Sequence, residues 1–218
     1  MKVLVFDTET TGLPDGYNVP YQQSSRWPHI VQFSFILYDL EKNKIISESD
    51  FIIDVPDDVT ISEKSIEIHG ITKKISKNQG FDIKDILEIF QVCIGVADYV
   101  VGHNINFDRN MVLAECYRNK LNHLESMFSQ DKIYFCTMLR SKNWCNITAI
   151  SKRNGEEFVR YPKLIELHEK LFNNKPNNLH NSFIDVIVCL RCFYKMTHTK
   201  DLCKVNKRIG SLYKNACT

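Results

Sequence analysis

Residues 2–13 read KVLVFDTETTGL, an apolar run that ends in two carboxylates one residue apart. In an extended strand, side chains two positions apart share a face, so Asp7 and Glu9 point the same way. Adjacent anions repel each other, and a cation bound between them offsets this repulsion. Carboxylate oxygens are suitable ligands for Mg²⁺ or Mn²⁺. Taken alone, the pair fits a metal site and a solvated turn equally well, because short motifs recur by chance.

The composition is that of a globular protein of 218 residues, 44% of them hydrophobic, which can bury a substantial core. The formal net charge of +2 creates no global field for a polyanion, so any nucleic-acid contact would be local. The eight cysteines show no secreted disulfide framework, and the first apolar run is too short for a signal peptide or a membrane span. We therefore expect a soluble, intracellular protein, in cytoplasm or nucleus, without a membrane partner.

A mixed set of strands and helices is predicted along the chain. Residues 30–40 and 44–55 are β-rich and flank a polar turn, which predicts an antiparallel meander with the first strand. The polar residues 14–29 indicate a long loop, and the basic residues 140–160 a small hairpin or excursion. Two short strands are expected at 98–102 and 132–137. Helical patterns cover a short segment from residue 62, residues 83–97, 104–121 and 164–172, and a last helix after His180.

Two further carboxylates lie in the first turns of predicted helices. At Asp108 the helix dipole favours a carboxylate even without a ligand. Asp185 shares a stripe with Cys189 and Cys192, beside the core, where an unpaired carboxylate is costly. The two cysteines have the spacing of a zinc half-site, but the lack of a second such pair favours core packing.

Together the four carboxylates are candidates to converge at one sheet edge. There they could hold two divalent ions about 4 Å apart, an arrangement suited to phosphodiester hydrolysis. His180 precedes Asp185 by five residues, and an imidazole that titrates near neutral pH suits a general base. The structural alternative is that His180 only caps or packs the helix that follows it.

Three ordered motifs resemble those of the DEDDh 3′→5′ exonucleases, a family that includes the epsilon proofreading subunit of bacterial DNA polymerase III, ribonuclease T and oligoribonuclease. The motifs are residues 7–13 (DTETTGL), residues 102–108 (GHNINFD) and His180-x4-Asp185. Residues 69–72 (HGIT) and 162–172 are also similar to that family. The resemblance covers nearly the whole chain.

The resemblance implies an α/β fold, a ribonuclease H-like mixed five-stranded sheet flanked by helices. It implies an exonuclease domain over residues 1–200, with a C-terminal helical extension over 201–218. By motif match, Asp7, Glu9, Asp108 and Asp185 would bind two Mg²⁺ or Mn²⁺ and His180 would be the base. Substrate contacts carried over from the family are Thr10, Leu13, His69 and Asn104, the last of which could instead secure its turn.

The activity implied is removal of nucleoside 5′-monophosphates from the 3′ end of single-stranded DNA. RNA as the substrate remains an alternative, because the motifs act on the phosphodiester and the terminal nucleotide. A separate DNA polymerase is a possible partner by the same resemblance. A different class, a non-catalytic nucleic-acid-binding module, is disfavoured because all four acids and the histidine are present. The Lys-, Asn- and Ile-rich composition suggests an AT-rich genome, viral or bacterial.

Overall fold

A five-stranded mixed sheet forms the centre of the molecule, in the order β3-β2-β1-β4-β5. The computed structural model describes residues 1–128, 132–177 and 179–217. The first three strands are antiparallel, and the last two run parallel to β1, which confirms the predicted fold class. The strands of this sheet are β1 (Lys2–Thr10), β2 (Ile30–Asp39), β3 (Lys44–Ile52), β4 (Tyr99–Gly102) and β5 (Ile133–Cys136).

Helices cover both faces of the sheet, and a separate hairpin pairs β6 (Ile147–Ile150) with β7 (Glu157–Arg160). Among the helices of the described residues, none combines the length and apolar character needed to cross a membrane. The helices are α1 (Glu63–His69), α2 (Lys73–Gln79), α3 (Ile83–Gly95), α4 (Ile105–Arg118), α5 (Thr137–Cys145), α6 (Leu164–Phe172), α7 (Ser182–His198), α8 (Leu202–Val205) and α9 (Lys207–Cys217).

Side chains of β1 alternate between two hydrophobic cores. Leu4 and Phe6 belong to the core that contains residues of α3 and α4. Val3 and Val5 belong to the second core, which contains much of α7. The same alternation continues to the end of the strand, so it decides which helix each polar side chain there can meet.

The carboxyl ends of β1, β4 and β5 lie at one edge of the sheet because these strands are parallel. Val5 pairs with Val101, and Gly102 pairs with Cys136. In α/β sheets, crevices outside the carboxyl ends of the strands are the usual location of functional sites. Both the first motif, after β1, and the second, after β4, emerge at this edge.

Two helices, α2 and α5, were not predicted from the sequence, and both bury small hydroxyl side chains. Ser76 of α2 is fully buried and donates a hydrogen bond to the Ile53 carbonyl (2.7 Å). Thr137 and Ser141 of α5 are also fully buried, and the Ser141 hydroxyl donates to the Thr137 carbonyl (2.6 Å). A helix face of this kind has little apolar periodicity, so the sequence predicts a small hairpin or excursion over residues 140–160. The hairpin is present as β6 and β7, but residues 140–145 belong to α5.

The C-terminal helices pack on the second core. Ile209 and Tyr213 of α9 are buried among its residues. Arg191 of α7 donates two hydrogen bonds to Asp201, the N-cap of α8, at 2.9 and 2.8 Å. The segment from residue 201 therefore packs against α7. Whether it forms a unit apart from residues 1–200 stays a prediction.

Candidate active site

Three of the predicted carboxylates form an acidic cluster at the carboxyl edge of the sheet. One oxygen each from Asp7, Glu9 and Asp185 lies within 4.8 Å of the others. Asp7 and Glu9 follow Val3 and Val5 on the face of β1 that packs on α7, and Asp185 lies in the first turn of that helix. The strand alternation and the start of α7 thus bring the first and third motifs together.

Asp108, the fourth predicted carboxylate, is held beside this cluster by Thr8. Its Oδ1 accepts hydrogen bonds from the Thr8 amide (3.1 Å) and the Thr8 hydroxyl (2.8 Å), and the side chain is buried. Thr8 lies on the opposite face of β1 from Asp7, and α4 packs on that face. Asp108 therefore reaches the sheet edge from the other layer, which explains why it is not one of the three clustered acids.

Burial is the largest influence on the acidity of all four groups. It raises the pKa of Asp7 well above its usual value and that of Glu9 to about 8. Repulsion from neighbouring acids acts in the same direction on both. The pKa of Asp108 and of Asp185 is raised to about 7, against the opposing effect of hydrogen bonds from Thr8 and from the His180 amide. At neutral pH such a group of acids holds protons or a cation.

The donor set fits a divalent cation. Asp185 Oδ1 is buried and has no hydrogen-bond partner within the part of the chain that the structure describes. Across the same residues, no lysine or arginine forms an ion pair with any of the four acids. A buried carboxylate oxygen without a donor is costly, and a hard cation would supply the missing partner.

His180 lies at the rim of the cluster. Its backbone amide donates to Asp185 Oδ2 (3.3 Å), its φ of 77° is in the left-handed region, and its side chain is exposed. The N-cap of α7 is Asn181, whose Oδ1 accepts from the amides of Phe183 (3.2 Å) and Ile184 (3.3 Å). Capping therefore belongs to Asn181, and the exposed imidazole is not packed in the core, so the structural alternative for His180 loses its support.

A buried polar network that the sequence analysis missed fixes the start of α7. The hydroxyls of Ser34 and Ser182 are 2.5 Å apart, and the Ser34 hydroxyl donates to Asp50 (2.7 Å). Gln32 accepts from the Ser182 amide (3.1 Å) and donates to Asp50 (2.8 Å). Because Ser182 stands three residues before Asp185, this network holds that carboxylate in place. The signal was available, since Gln32 and Ser34 are polar residues two apart in an otherwise apolar strand.

Three of the predicted substrate contacts lie near the end of β1. The His69 Nε2–H donates to the Thr10 carbonyl (3.2 Å), while its Nδ1 accepts from the Ile71 amide (3.0 Å). The Thr10 hydroxyl donates to the Gly12 carbonyl (2.7 Å), and the Leu13 side chain is 81% exposed. Leu13 is thus an exposed apolar residue four positions after Glu9.

The fourth predicted contact, Asn104, begins α4 in a left-handed conformation with a φ of 77°. Its side chain is exposed and makes no capping hydrogen bond. Before it, Gly102 approaches Ile105 so closely that a Cβ atom would lie 2.8 Å from the Ile105 side chain. The tight turn thus depends on Gly102 and on the left-handed conformation of Asn104. The side-chain amide of Asn104 is exposed to solvent.

The long loop of residues 14–29 is fixed to α4. Trp27 is buried, and its ring lies 6.2 Å from that of Phe107. Arg118 of α4 donates to the carbonyls of Ser24 (2.7 Å) and Trp27 (2.9 Å). Tyr17, by contrast, is fully exposed. The loop is thus tied to α4 through Ser24 and Trp27.

Cys189 and Cys192 are packed in the second core, as the sequence analysis favoured. Both are buried, and burial raises the pKa of both thiols. A thiol that resists ionisation is a poor zinc ligand. On α7, Asp185 thus lies at the acidic cluster, and Cys189 and Cys192 continue the same helix face into the second core.

A family model described as Exonuclease (RNase_T) matches residues 4–193 of the chain. No curated protein sequence matches it. The matched range begins within β1 and ends within α7, so it contains the whole acidic cluster and His180.

Solved structures of exonuclease I share the fold. The E. coli Exonuclease I complex with a dT13 oligonucleotide aligns with a TM-score of 0.66 at 19% identity, over 91% of this chain and 42% of that chain. A moderately thermophilic Exonuclease I from Methylocaldum szegediense gives 0.62 at 19%, over 94% and 42%. A product-bound exonuclease I gives 0.60 at 16%, over 91% and 44%. The chain thus spans about two fifths of the length of these proteins.

Proposed function

We propose that this chain, which belongs to the exonuclease family, removes nucleoside 5′-monophosphates from the 3′ end of single-stranded DNA. The observation that carries the proposal is the acidic cluster. Asp7, Glu9 and Asp185 present oxygens within 4.8 Å of one another, at a sheet edge that also receives buried Asp108. Buried acids this close together are costly unless protons or a cation offset their charge. Hydrolysis of a phosphodiester is chemistry that divalent cations promote.

Asp7, Glu9, Asp108 and Asp185 would hold two Mg²⁺ or Mn²⁺ ions. When bound, these ions lower the pKa of a water molecule and offset the charge that develops on the attacking and leaving oxygens. The residues themselves set the geometry. Asp7 and Glu9 are fixed by β1, and Asp185 is fixed through the hydrogen bonds of Ser182 and its network. Thr8 orients Asp108 through two hydrogen bonds.

His180 would take the proton of the attacking water. Its exposed imidazole can turn towards solvent or substrate, while its amide stays bound to Asp185. That hydrogen bond keeps the base next to the carboxylate that helps to hold the nucleophile. A positioned general base contributes roughly 10²- to 10⁴-fold to the rate.

The terminal nucleotide would lie against the end of β1, where Thr10, Leu13 and His69 are grouped, with Asn104 across the sheet edge. The choice of single-stranded DNA, and of attack from the 3′ end, is supported by the family resemblance. The neighbouring structures of E. coli Exonuclease I hold dT13 and dA16 oligonucleotides, which favours DNA over RNA. A separate DNA polymerase as partner and an intracellular location stay predictions.

The test is a gel assay with 5′-labelled single-stranded DNA and RNA of the same sequence, with and without Mg²⁺. We expect a ladder of 5′-labelled products from DNA only when Mg²⁺ is present, and resistance of a DNA strand that carries a 3′-phosphate. Preferential shortening of RNA would assign the chain to the exoribonucleases. Cleavage of circular single-stranded DNA would indicate an endonuclease, and binding without shortening a non-catalytic module.

A further inference from the structure

The β6–β7 hairpin is anchored to the edge of the sheet that carries the acidic cluster. The His103 Nε2–H, next to Gly102 at the end of β4, donates to the Pro162 carbonyl (3.0 Å), and its Nδ1 accepts from the Thr137 hydroxyl (3.0 Å). Burial lowers the pKa of His103 to about 4, so the neutral ring keeps both hydrogen bonds at physiological pH. The start of α5 and the exit of the hairpin are thereby joined to the end of β4.

The hairpin extends away from this anchor, and its outer end carries two cations, Lys152 and Arg153, and two acids, Glu156 and Glu157. Ile147 pairs with Arg160 at its base, and four-residue strands place the turn roughly 13 Å further out. Residues 140–160 contain five basic and two acidic side chains, a net charge of +3, whereas the whole chain has +2.

The cations at the tip are available to a ligand. Lys152 and Arg153 are exposed, and neither forms an ion pair with any described residue. Arg160, at the base, is instead bound to Glu166. The two acids of the segment are also exposed. Glu156 accepts from the Asn154 side-chain amide (2.6 Å), and Glu157 pairs with Ile150, on the face opposite Phe158.

Apolar and aromatic side chains accompany these cations. Phe158 is 48% exposed and Tyr161 46%. Ile150, which pairs with Glu157, lies on the opposite face of the hairpin from Phe158. The Lys142 ammonium lies 4.7 Å from the centre of the Tyr161 ring. Exposed aromatic faces beside phosphate-binding cations are the combination with which proteins hold single-stranded nucleic acid, because bases stack while the backbone is neutralised.

We infer that a surface formed by Lys142, Lys152, Arg153, Phe158 and Tyr161, the hairpin surface, binds the single strand a few nucleotides upstream of its 3′ end. This inference rests on the proposed function, since it assumes that a polynucleotide end enters the acidic cluster. A flexible polyanion with flat apolar bases matches both the charge and the exposed rings. The surface would raise affinity for long strands without contacting a dinucleotide.

The experiment compares the double variant Lys152→Ala/Arg153→Ala with wild type. Binding of 5′-fluorescein-dT15 is measured by anisotropy in EDTA across a salt series. Cleavage of dT15 and of the dinucleotide TpT is measured with Mg²⁺. We expect dT15 affinity to fall roughly tenfold or more. The slope of log K against log salt should be smaller by roughly 1.4, about 0.7 for each phosphate that the variant no longer neutralises. The kcat/KM for TpT should be unchanged.

Phe158→Ala should weaken dT15 binding by roughly 5- to 150-fold, the range for removal of one stacking ring.

The matched control is Lys42→Ala/Lys44→Ala. It removes the same charge from exposed positions at the β2–β3 turn, which lies at the opposite edge because Asp39 pairs with Lys2. Equal affinities and salt slopes for the two double variants would overturn the inference, and so would an equal loss of TpT and dT15 cleavage in the hairpin variant. Wild type that cleaves neither substrate would refute the proposed function, and the anisotropy would still decide whether the hairpin surface binds DNA.

Discussion

Ionisation of Asp7 is strongly disfavoured in the folded protein, because burial and three neighbouring acids all raise its pKa. Between the ordinary carboxyl pKa near 4 and its folded-state pKa, the folded protein binds more protons than the unfolded chain. The free energy of unfolding therefore falls as the pH rises through this window. In metal-free protein, the acidic cluster destabilises the fold most at the alkaline end.

We predict that Asp7→Asn stabilises the metal-free protein at pH 8 and has less effect at pH 5. A gain of about 1 kcal/mol would raise Tm by roughly 2–4 °C for a domain of this size. The measurement is Tm against pH in EDTA for wild type, Asp7→Asn and the exposed control Asp58→Asn. If Tm depends on pH in Asp7→Asn as steeply as in wild type, the raised pKa of Asp7 is not the cause of the loss of stability at high pH.

His180 is the residue whose role can be separated most clearly from stability. We predict that His180→Ala lowers single-turnover cleavage by roughly 10²- to 10⁴-fold and leaves Tm and Mn²⁺ affinity nearly unchanged. Solvent hydroxide can replace the missing base, so the residual rate should keep rising at pH values where the wild-type rate is constant. A destabilised variant with the wild-type pH profile would refute the base assignment.

At the scale of elements, the start of α7 depends on β2 through Ser34, Ser182 and Gln32. We predict that Ser34→Ala lowers kcat by roughly tenfold to a hundredfold, because small misplacements of catalytic groups have effects of this size. The KM for dT15 should change little, since the proposed contacts at the end of β1 and on the hairpin surface are unchanged.

The control for this prediction is Ser49→Ala, another buried serine of the same sheet. Ser49 pairs with Phe35, whose side chain lies in the first core on the α3 and α4 side, away from α7. An equal loss of kcat in both variants would mean that the sheet tolerates no serine deletion and that the network has no special role in positioning Asp185.

Elements with strong apolar periodicity were predicted well. The strands β1, β2 and β3, the helix α6 and the start of α7 after His180 match their expected positions. Helices α2 and α5 were missed because their buried faces contain serine and threonine. The separate position of Asp108 was also not predicted, because its helix and α7 pack on opposite faces of the sheet. Spacing predicted that Asp108 would join the site, but it could not show that α4 and α7 approach β1 from opposite sides.

At the scale of the whole molecule, a divalent cation should act as a folding ligand. We predict that Mn²⁺ at about one hundred times its Kd stabilises the protein by about 2.7 kcal/mol, which corresponds to a rise of several degrees in Tm. The rise should grow with pH from 6 to 8, because protons compete for the raised-pKa carboxylates. Asp185→Asn should lose most of it, and an undiminished rise in that variant would place the cation elsewhere.

What the sequence could not supply was the three-dimensional support of the site. The four acids and His180 were identified from residue types, spacing and resemblance. The tie from His103 to Pro162 and the network around Ser34 join residues 59 and 148 positions apart, respectively. Contacts of that kind depend on the packing of whole layers. The spacing of Gln32 and Ser34 indicates that two polar side chains share a face of β2, but no local pattern identifies Ser182 as their partner.

The central claim is that the acidic cluster is the active site, and its most direct test is analysis of the products released from one substrate. Single-stranded dT15 is incubated with wild type or Asp185→Asn in Mg²⁺, and released nucleotides are identified by mass spectrometry. The account predicts thymidine 5′-monophosphate from the 3′ end with wild type, none in EDTA, and at least a hundredfold less with Asp185→Asn. Equal release by the variant, or release that persists in EDTA, would contradict an active site built on the acidic cluster.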